Sequence, residues 1–391
     1  MAIGARRTSF EYKPSLDGLR AVAVGAVIAY HFFPRFAPAG YLGVDVFFVL
    51  SGYLITSLLL VEWKETGTID LRAFWARRAR RLLPALFLVL LAFAVWSALS
   101  LEPTERSRIR GEGLATLFYG ANWYFIHGGQ PYFDRIGISP LEHAWSLAVE
   151  EQFYLAWPPV VLGCLSVTLG RRRSALVPVA VVGVVVSVLL MALLYAPVDI
   201  YRSYMATDTR AHQLLIGALL AVGLRSNRAR HQVNRVTPWA LGPAAVVTCA
   251  AAMIFAPGLH QSFQYHGGSV LFAVAVATVI AAAVAPGRSP IKGVLSLSPL
   301  VWLGRISYGL YLWHFPVLMA ISESRTGLDG PTLTVVHLAG TLLLATLSFY
   351  IVEQPIRRGA LGARRERFAT AMAIAGVASA LIIASVGAPV A

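Results

Sequence analysis

Two ionisable side chains lie within the first apolar stretch of the chain, residues 16–34, and both are of types that do chemistry. Arg20 stands near the beginning of this stretch and His31 near its end. If the stretch is helical, the spacing returns the two side chains to within about 20° of one face and separates them by about 16 Å along the axis. Arginine carries a permanent charge and a planar set of donors, and histidine titrates near neutral pH. The spacing therefore predicts a long ligand beside the helix, bound by a cation at one end and approached by an imidazole at the other.

The composition of the chain is that of a membrane protein. Hydrophobic residues make up 57% of the 391 residues and charged residues 13%. Backbone polar groups in lipid must be paired within each segment, and no strand-like alternation of a barrel is present. We therefore predict an all-α fold, a polytopic bundle of transmembrane helices in a lipid bilayer. The net charge of +14 is expected to reflect basic loops and anionic lipid, because a nucleic-acid-binding protein would need a soluble basic domain.

Hydropathy predicts about eleven spans, since a bilayer core of about 30 Å needs about 20 apolar helical residues per crossing. The expected spans are residues 16–34, 43–61, 82–100, 144–168, 176–196, 208–224, 238–256, 268–286, 300–320, 332–352 and 368–388.

The segment at residues 111–129 is apolar but short, and the basic residues decide how it is interpreted. Lysine and arginine concentrate in cytoplasmic loops. If this segment does not span, basic clusters at residues 64–81, 171–173, 225–235 and 357–367 fall on the same side. We therefore expect a re-entrant or interfacial segment, with the N-terminus of the chain inside and the C-terminus outside.

Several motifs, in the same order along the chain, resemble those of the acyltransferase 3 family. The resemblance covers roughly residues 14 to 358. Besides the Arg20–His31 spacing, the motifs are GYLGVDVFFVLSGYLIT (40–56), FWARRARRLLPAL (74–86), EHAWSLAVEEQFYLAWP (142–158), DTRAHQLLIGALLA (208–221), WLGRISYGLYLWHFPV (302–317) and SFYIVEQPIRR (348–358).

The resemblance implies a membrane enzyme that moves an acyl group, usually acetyl, onto a hydroxyl. The implied donor substrate is cytoplasmic acetyl-CoA, with no metal, and the implied location is the bacterial cytoplasmic membrane. The acceptor stays open among peptidoglycan or another envelope polysaccharide, a mycolate-type glycolipid and a macrolide-like small molecule. Acetyl-CoA is too charged to cross the membrane, so the acyl group is expected to pass from inside to outside without its coenzyme.

Three residues are expected to act in catalysis if the resemblance holds. His31 would be the general base or a transient acyl acceptor, and Arg20 would bind pantetheine or phosphate oxygens of the donor. Glu150 would orient His31 or bind a sugar hydroxyl. The alternatives are a packing histidine bonded to a backbone carbonyl and an arginine that reaches out to the membrane surface.

The donor is expected to meet basic and aromatic groups near the inner side. Arg77, Arg80 and Arg81 recur at the spacing of one helical face, although such clusters also set topology. The pair Arg305 and Tyr308 stands at i and i+3. The whole expected donor set is Arg77, Arg80, Arg81, Arg305, Tyr308 and His314.

The acceptor is expected to meet residues near the outer side, together with residues that support the site. If a helix begins near Leu141, His143 and Glu150 share a face, and Trp145 and Tyr154 are interfacial aromatics. Asp208 is also the residue type expected to cap its helix. The expected acceptor residues are His143, Trp145, Glu151, Asp208 and Arg210, and the supporting residues are Asp17, Asp45 and Ser51.

We expect one acyltransferase-type domain at residues 1–358 and an extra span within residues 359–391. In similar proteins an extra helix leads to an extracytoplasmic esterase-like domain with a Gly-Asp-Ser nucleophile; that domain is a possible partner, and the sequence here lacks it. Cys164 and Cys249 fall in apolar runs and predict core positions. Two alternatives stay open, a transporter or flippase of a lipid-linked sugar and a non-catalytic membrane anchor.

Overall fold

The fold is helical throughout the part of the chain that the structure describes. The computed structural model describes residues 11–101, 103–128, 139–167, 175–226, 231, 237–256, 258, 261–358 and 373–382. Within these residues the only β-type pairing is an isolated bridge between Ala196 and Asp199. The predicted all-α class is confirmed.

Eighteen helices, numbered here in chain order, account for most of the described residues. They are α1 (Pro14–Phe32), α2 (Gly43–Thr66), α3 (Leu71–Ser100), α4 (Pro103–Leu117), α5 (Ala121–His127), α6 (Ala144–Val167), α7 (Leu176–Leu193), α8 (Tyr201–Met205), α9 (Thr207–Gly223), α10 (Gly242–Phe255), α11 (Ser269–Val284), α12 (Pro290–Leu295), α13 (Ser298–Arg305), α14 (Ser307–Ala320), α15 (Glu323–Thr326), α16 (Gly330–Leu347), α17 (Gln354–Arg357) and α18 (Ala373–Ile382).

Short turns of other helical types extend several of these helices. A 3₁₀ turn, Gly40–Leu42, precedes α2, and π-helical turns at Thr237–Leu241, Gln264–Gly268 and Ser348–Glu353 adjoin α10, α11 and α16. Proline at the first positions of α1 fits its start, because that N–H has no partner within a helix. Gly67, at φ 73°, ends α2 in the left-handed conformation that glycine adopts readily.

Each predicted span coincides with a helix of the described chain, but the lengths differ. Among the described residues, five segments are long and apolar enough to cross a bilayer: Gly40–Thr66, Leu71–Ser100, Leu176–Leu193, Gln264–Val284 and Gly330–Arg357. The total of about eleven spans and the orientation of the termini stay predictions. The span expected at 300–320 is broken at Ile306 into α13 and α14, and the residues flanking α18 within 368–388 lie outside the described part.

The doubtful segment at residues 111–129 is divided between two helices. The end of α4 and the whole of α5 are separated by a turn in which Tyr119 has a φ of 54°. A non-glycine residue rarely adopts this conformation, so the turn between the two helices is strained. The seven residues of α5 are too few to cross a bilayer, as a re-entrant or interfacial segment requires.

The chain forms two compact units, each made of two stretches. The first unit comprises Met1–Ala73 and Gln152–Arg305, and the second comprises Phe74–Glu151 and Ile306–Ala391. The expected boundary at residue 358 adjoins residues outside the described part and stays a prediction.

Close backbone packing of α2 against α9 organises the first unit. A methyl group added at Gly52 would lie 1.8 Å from the carbonyl oxygen of Leu214, and one added at Gly217 would lie 2.0 Å from that of Val49. Small residues let two helices approach this closely in a membrane, where apolar contact alone gives little preference between neighbours. The same two helices carry Asp45 and Arg210.

Candidate active site

The His31 imidazole lies in the last turn of α1 and is tied to the helix backbone. Its Nδ1 is 2.9 Å from the carbonyl oxygen of Val27. A carbonyl oxygen only accepts hydrogen bonds, so Nδ1 carries the proton of the neutral ring and Nε2 keeps its lone pair. A histidine with only a packing role makes the same kind of bond. The bond also fixes the tautomer of the imidazole in which Nε2 is the basic nitrogen.

Aromatic rings connect His31 to the turn before α2. The Tyr30 ring meets the His31 ring edge-on at 5.0 Å and the Tyr41 ring at 5.5 Å. Tyr41 is buried, and its hydroxyl donates to Oε1 of Gln264 at 2.7 Å. Tyr41 also meets Tyr204 edge-on at 6.3 Å.

Asp45 and Arg210 form a fully buried ion pair in the first unit. Nη2 of Arg210 lies 3.0 Å from Oδ2 of Asp45, and both side chains have no exposed surface. Gln213 donates to the other carboxylate oxygen. The guanidinium also lies over the rings of Tyr204, at 5.0 Å, and Phe48, at 5.5 Å. Arg210, predicted to bind the acceptor, is thus held by the predicted supporting residue Asp45.

Asp208 does not cap its helix, contrary to one of its two predicted roles. The N-cap position of α9 is Ala206, and its side chain makes no capping bond. Asp208 lies in the first turn, where it accepts two hydrogen bonds from Arg202 at 2.8 and 2.6 Å. The pair is part-exposed, with 30% of the Arg202 side chain and 37% of the Asp208 side chain accessible.

Arg20 lies on the same unbroken helix as His31, as predicted. Its guanidinium is 5.7 Å from the centre of the Phe47 ring, and the side chain is half-buried. Helical geometry therefore retains the expected shared face and the separation of about 16 Å. An apolar cleft of about 480 Å³ touches α1 at Leu19 and Val22, which lie on other faces of the helix than Arg20. The continuous path between Arg20 and His31 stays a prediction.

Asp17, near the start of α1, belongs to a small polar chain. The Tyr12 hydroxyl donates to Oδ2 of Asp17 at 2.7 Å and accepts from Nη2 of Arg305 at 3.1 Å. Partial burial raises the pKa of Tyr12, and Asp17 raises it further, while Arg305 lowers it. Tyr12 therefore stays protonated and holds Asp17 and Arg305 together.

The predicted helical pair of Arg305 and Tyr308 is wrong, because the helix is broken between them. Arg305 ends α13, Ile306 leaves the helical conformation and Tyr308 stands in the first turn of α14. Arg305 belongs to the first unit and Tyr308 to the second. In the second unit, the Tyr308 hydroxyl donates to the carbonyl oxygen of Leu82 at 3.1 Å.

The basic cluster of α3 extends from an exposed to a half-buried face. Arg77 is exposed, whereas Arg78, Arg80 and Arg81 are half-buried. Arg78 lies over the Phe74 ring at 5.9 Å, and Nε of Arg80 donates to the carbonyl oxygen of Ala76. The predicted donor set, drawn from the i, i+3, i+4 spacing, did not include Arg78. The Arg78 side chain is nevertheless less exposed to solvent than that of Arg77.

Glu151 interacts electrostatically with two of these arginines, Arg78 and Arg81. The sequence assigned Glu151 to the acceptor and Arg81 to the donor, but the second unit brings their charges near each other. Glu150 is the third charged neighbour of Glu151. The charge of Glu151 also acts on the Tyr119 and Tyr308 hydroxyls, so the carboxylates, tyrosines and arginines form one polar region.

His143 and His314 lie side by side in the second unit, although the sequence assigned them to different substrates. Their ring centres are 5.4 Å apart. Tyr311 joins them, because its hydroxyl donates to the His143 carbonyl oxygen at 2.9 Å and lies 2.5 Å from Oγ of Ser146. Nδ1 of His314 is 2.6 Å from the Tyr311 carbonyl oxygen and therefore carries the proton of the neutral ring.

The helix that carries Glu150 begins where the predicted span begins, and not near Leu141, as a shared helical face of His143 and Glu150 would require. It starts at Ala144, after a turn that contains His143, so the shared helical face of His143 and Glu150 is not formed. Trp145 is 2% exposed and Tyr154 is 5% exposed, so both rings are buried within the protein. The Tyr154 hydroxyl donates to Oγ of Ser51 at 2.8 Å, which gives Ser51 a structural partner.

Sequence reasoning missed several residues that these clusters contain. Tyr41 and Glu353, whose charge acts on the Tyr308 hydroxyl, stand inside quoted motifs, but no spacing rule singles out a buried tyrosine or a carboxylate 3% exposed. Gln264 lies outside every motif, and only its bond to Tyr41 reveals it. Tyr119 precedes a glycine, which was a signal for a turn. Among the described residues, no group of three or more histidine, cysteine or carboxylate side chains could hold a metal ion.

The family match and the similar proteins all point to acyltransferases. A family defined by an acyltransferase domain matches residues 13–353. The chain is 39% identical over 359 residues to the peptidoglycan O-acetyltransferase OatA of Listeria monocytogenes. It is 40% identical over 359 residues to the putative peptidoglycan O-acetyltransferase YrhL of Bacillus subtilis and 35% identical over 350 residues to the O-acetyltransferase OatA of Staphylococcus aureus.

The three matches cover 90%, 88% and 89% of this chain but only 57%, 55% and 57% of the relatives. The chain therefore spans a little over half the length of the curated relatives it matches. No solved structure matches the chain significantly. The matched length and the identities show that the chain belongs to the acyltransferase 3 family.

Proposed function

We propose that this chain is a membrane O-acyltransferase that moves an acetyl group from cytoplasmic acetyl-CoA to a hydroxyl of an envelope glycan. Family membership and the apolar helices support the class of reaction and the bilayer. Two of the relatives are named for acetylation of peptidoglycan, one of them as putative, so a peptidoglycan hydroxyl is the acceptor we favour. The bacterial cytoplasmic membrane places the coenzyme on one side and this acceptor on the other.

The observation that carries the proposal is the fixed tautomer of His31. With Nδ1 bonded to the Val27 carbonyl, Nε2 is the basic ring nitrogen, and we assign to it the proton of an attacking hydroxyl. The hydroxyl oxygen then bonds to the thioester carbonyl carbon, the carbon–sulfur bond breaks, and the protonated His31 returns its proton to the leaving thiolate. A route through acyl-His31 uses the same Nε2 as nucleophile and needs the same tautomer.

Arg20 is proposed to bind the donor, because a guanidinium pairs with phosphate or carbonyl oxygens whatever the pH. The basic residues Arg77, Arg80 and Arg81 suit the coenzyme phosphates, and Arg78 joins them on the evidence of its burial. Tyr308, Arg305 and His314 complete the proposed donor set.

The acceptor is proposed to meet Glu150, Glu151, His143, Trp145 and Asp208. The ion pair with Asp45 and its complete burial favour a positioning role for Arg210 over direct acceptor contact. An extracytoplasmic esterase-like domain or protein is proposed as a further partner of the chain.

The test is transfer of label from radiolabelled acetyl-CoA to soluble muropeptides by the purified chain in detergent. Wild-type protein is expected to produce labelled, base-labile esters, and His31→Ala is expected to produce none while remaining folded. His127→Ala is the matched control, because Nδ1 of His127 makes the same bond to the carbonyl four residues earlier, from Trp123, in an exposed position. Equal transfer by wild type and His31→Ala would refute the role of His31. Movement of a lipid-linked sugar without consumption of acetyl-CoA would favour the transporter instead.

A further inference from the structure

The short turn between α1 and α2, residues 39–43, packs directly on the helix that carries His31. A methyl group added at Gly40 would lie 2.2 Å from the Ala26 carbonyl oxygen and 3.0 Å from Cβ of Tyr30. Only glycine allows this approach, so the turn lies against the α1 backbone at Ala26 and against the side chain of Tyr30, the residue before His31.

Other elements of the first unit hold the same turn. The Ala39 N–H donates to the Met253 carbonyl oxygen of α10 at 3.2 Å. The Tyr41 hydroxyl donates to Gln264, the first residue of the π-helical turn before α11, and the Tyr41 ring meets Tyr204 of α8. The turn is therefore anchored independently of α1 and can act as a fixed support.

The support reaches His31 through one ring. Tyr41 meets Tyr30 edge-on, with 80° between the ring planes, and Tyr30 meets His31 at 73°. His31 lies in the final turn of α1, where helices fray most readily. Catalytic groups need support of this kind, because a shift of about 1 Å can cost a factor of about a hundred in rate.

We propose that Tyr41, anchored by Gln264, is a positioning residue that holds the His31 imidazole in place through Tyr30. The proposal rests on the function proposed above for His31. It assigns to Tyr41 no contact with substrate. Its hydroxyl fixes the ring, and the ring fixes the end of α1.

Removal of the anchor is expected to lower turnover without weakening donor binding. Tyr41→Phe keeps the ring and deletes the bond to Gln264, and Gln264→Leu deletes the same bond from the other side. Each variant is expected to lower kcat roughly tenfold, the rate equivalent of one hydrogen bond, with KM for acetyl-CoA within about twofold of wild type. The double variant is expected to lose no more than either single variant, because both remove one interaction.

The matched control is Thr56→Val. Thr56 accepts a buried hydrogen bond at 2.9 Å from the indole of Trp157 in the same unit, away from the turn. It is expected to lower thermal stability about as much as Tyr41→Phe does, with kcat within about twofold of wild type. The assay uses the purified chain, radiolabelled acetyl-CoA and soluble muropeptides.

The outcomes separate this proposal from the proposed function. Wild-type kcat in Tyr41→Phe and Gln264→Leu, with His31→Ala inactive, would overturn the positioning role and leave the function intact. Additive losses in the double variant would overturn it too, since the two side chains would then act separately. Wild-type turnover in His31→Ala would instead defeat the proposed function. If Tyr41→Phe does not fold, Gln264→Leu tests the same bond.

Discussion

The buried pair of Asp45 and Arg210 predicts a large loss of stability when only one partner is removed. Neither side chain has exposed surface, and the two are 3.0 Å apart. In Arg210→Met the Asp45 carboxylate would remain buried. Gln213, three residues after Arg210 on α9, would still donate a hydrogen bond to it. Leaving one charge of a buried pair uncompensated costs about 3–5 kcal/mol. For a chain of 391 residues we expect the midpoint of thermal unfolding to fall by about 4–6 °C.

A second change should restore most of that loss. In the double variant Asp45→Asn/Arg210→Met the buried charge is gone, and the asparagine oxygen can still accept from Gln213. The remaining cost is that of lost hydrogen bonds, about 1–2 kcal/mol. The double variant is therefore expected to melt above Arg210→Met and below wild type.

The chain offers a matched control in its other Arg–Asp pair. Arg202 and Asp208 make two short hydrogen bonds, at 2.8 and 2.6 Å, but about a third of each side chain is exposed. Exposed pairs contribute about 0–1 kcal/mol, so Arg202→Met should lower the midpoint by about 2 °C or less. Intrinsic tryptophan fluorescence of the purified protein in detergent measures all these midpoints.

Burial, rather than bond geometry, is the quantity under test. An equal loss of stability in Arg202→Met and Arg210→Met would refute the reasoning, as would a double variant less stable than Arg210→Met. Acetyl transfer by the folded double variant would support the positioning role of Arg210. Reduced transfer with a raised KM for the acceptor would instead support the original prediction that Arg210 binds the acceptor.

Three further predictions follow from the same structure. Gly52→Val should abolish folded protein, measured by size-exclusion chromatography, because even one methyl group meets the Leu214 carbonyl at 1.8 Å; a monodisperse variant would contradict the α2–α9 packing. Arg20→Lys keeps the charge but loses the planar fork, so KM for acetyl-CoA should rise about tenfold in a transfer assay, and an unchanged KM would exclude donor binding there. Arg78→Ala should raise that KM more than Arg77→Ala, because Arg78 is half-buried and Arg77 exposed; the reverse order would restore the grouping drawn from spacing.

Local pattern predicted the helices well because hydropathy acts within each segment. The helix that carries Arg20 and His31 runs unbroken from Pro14 to Phe32, as its composition indicated. The break at Ile306 was not predicted, because residues 300–320 taken together are apolar enough for one span and Gly304 and Ser307 were not interpreted as a break. The start of α6 at Ala144 agrees with the predicted span, and it leaves His143 in the turn before the helix.

Contacts between distant parts of the chain could not be read from spacing. Asp45 and Arg210 were each found through a motif, but their pairing joins positions 165 residues apart. Tyr41 and Gln264 are 223 residues apart. The hydrogen bond between the Tyr41 hydroxyl and the Gln264 side-chain amide leaves no periodic pattern in the sequence. Asp208 was expected as a cap from its residue type, whereas Arg202, close in sequence and in space, takes it as an ion-pair partner.

Transfer across sealed vesicles tests the central claim most directly. The purified chain is reconstituted with muropeptides inside the vesicles and acetyl-CoA outside, labelled separately in the acetyl group and in the coenzyme. In vesicles with inward-facing acceptor sites, acetyl label should appear as ester on the enclosed muropeptides while the coenzyme label stays outside, and His31→Ala should transfer neither. Entry of the intact coenzyme, or acetyl transfer by His31→Ala at the wild-type rate, would contradict the account.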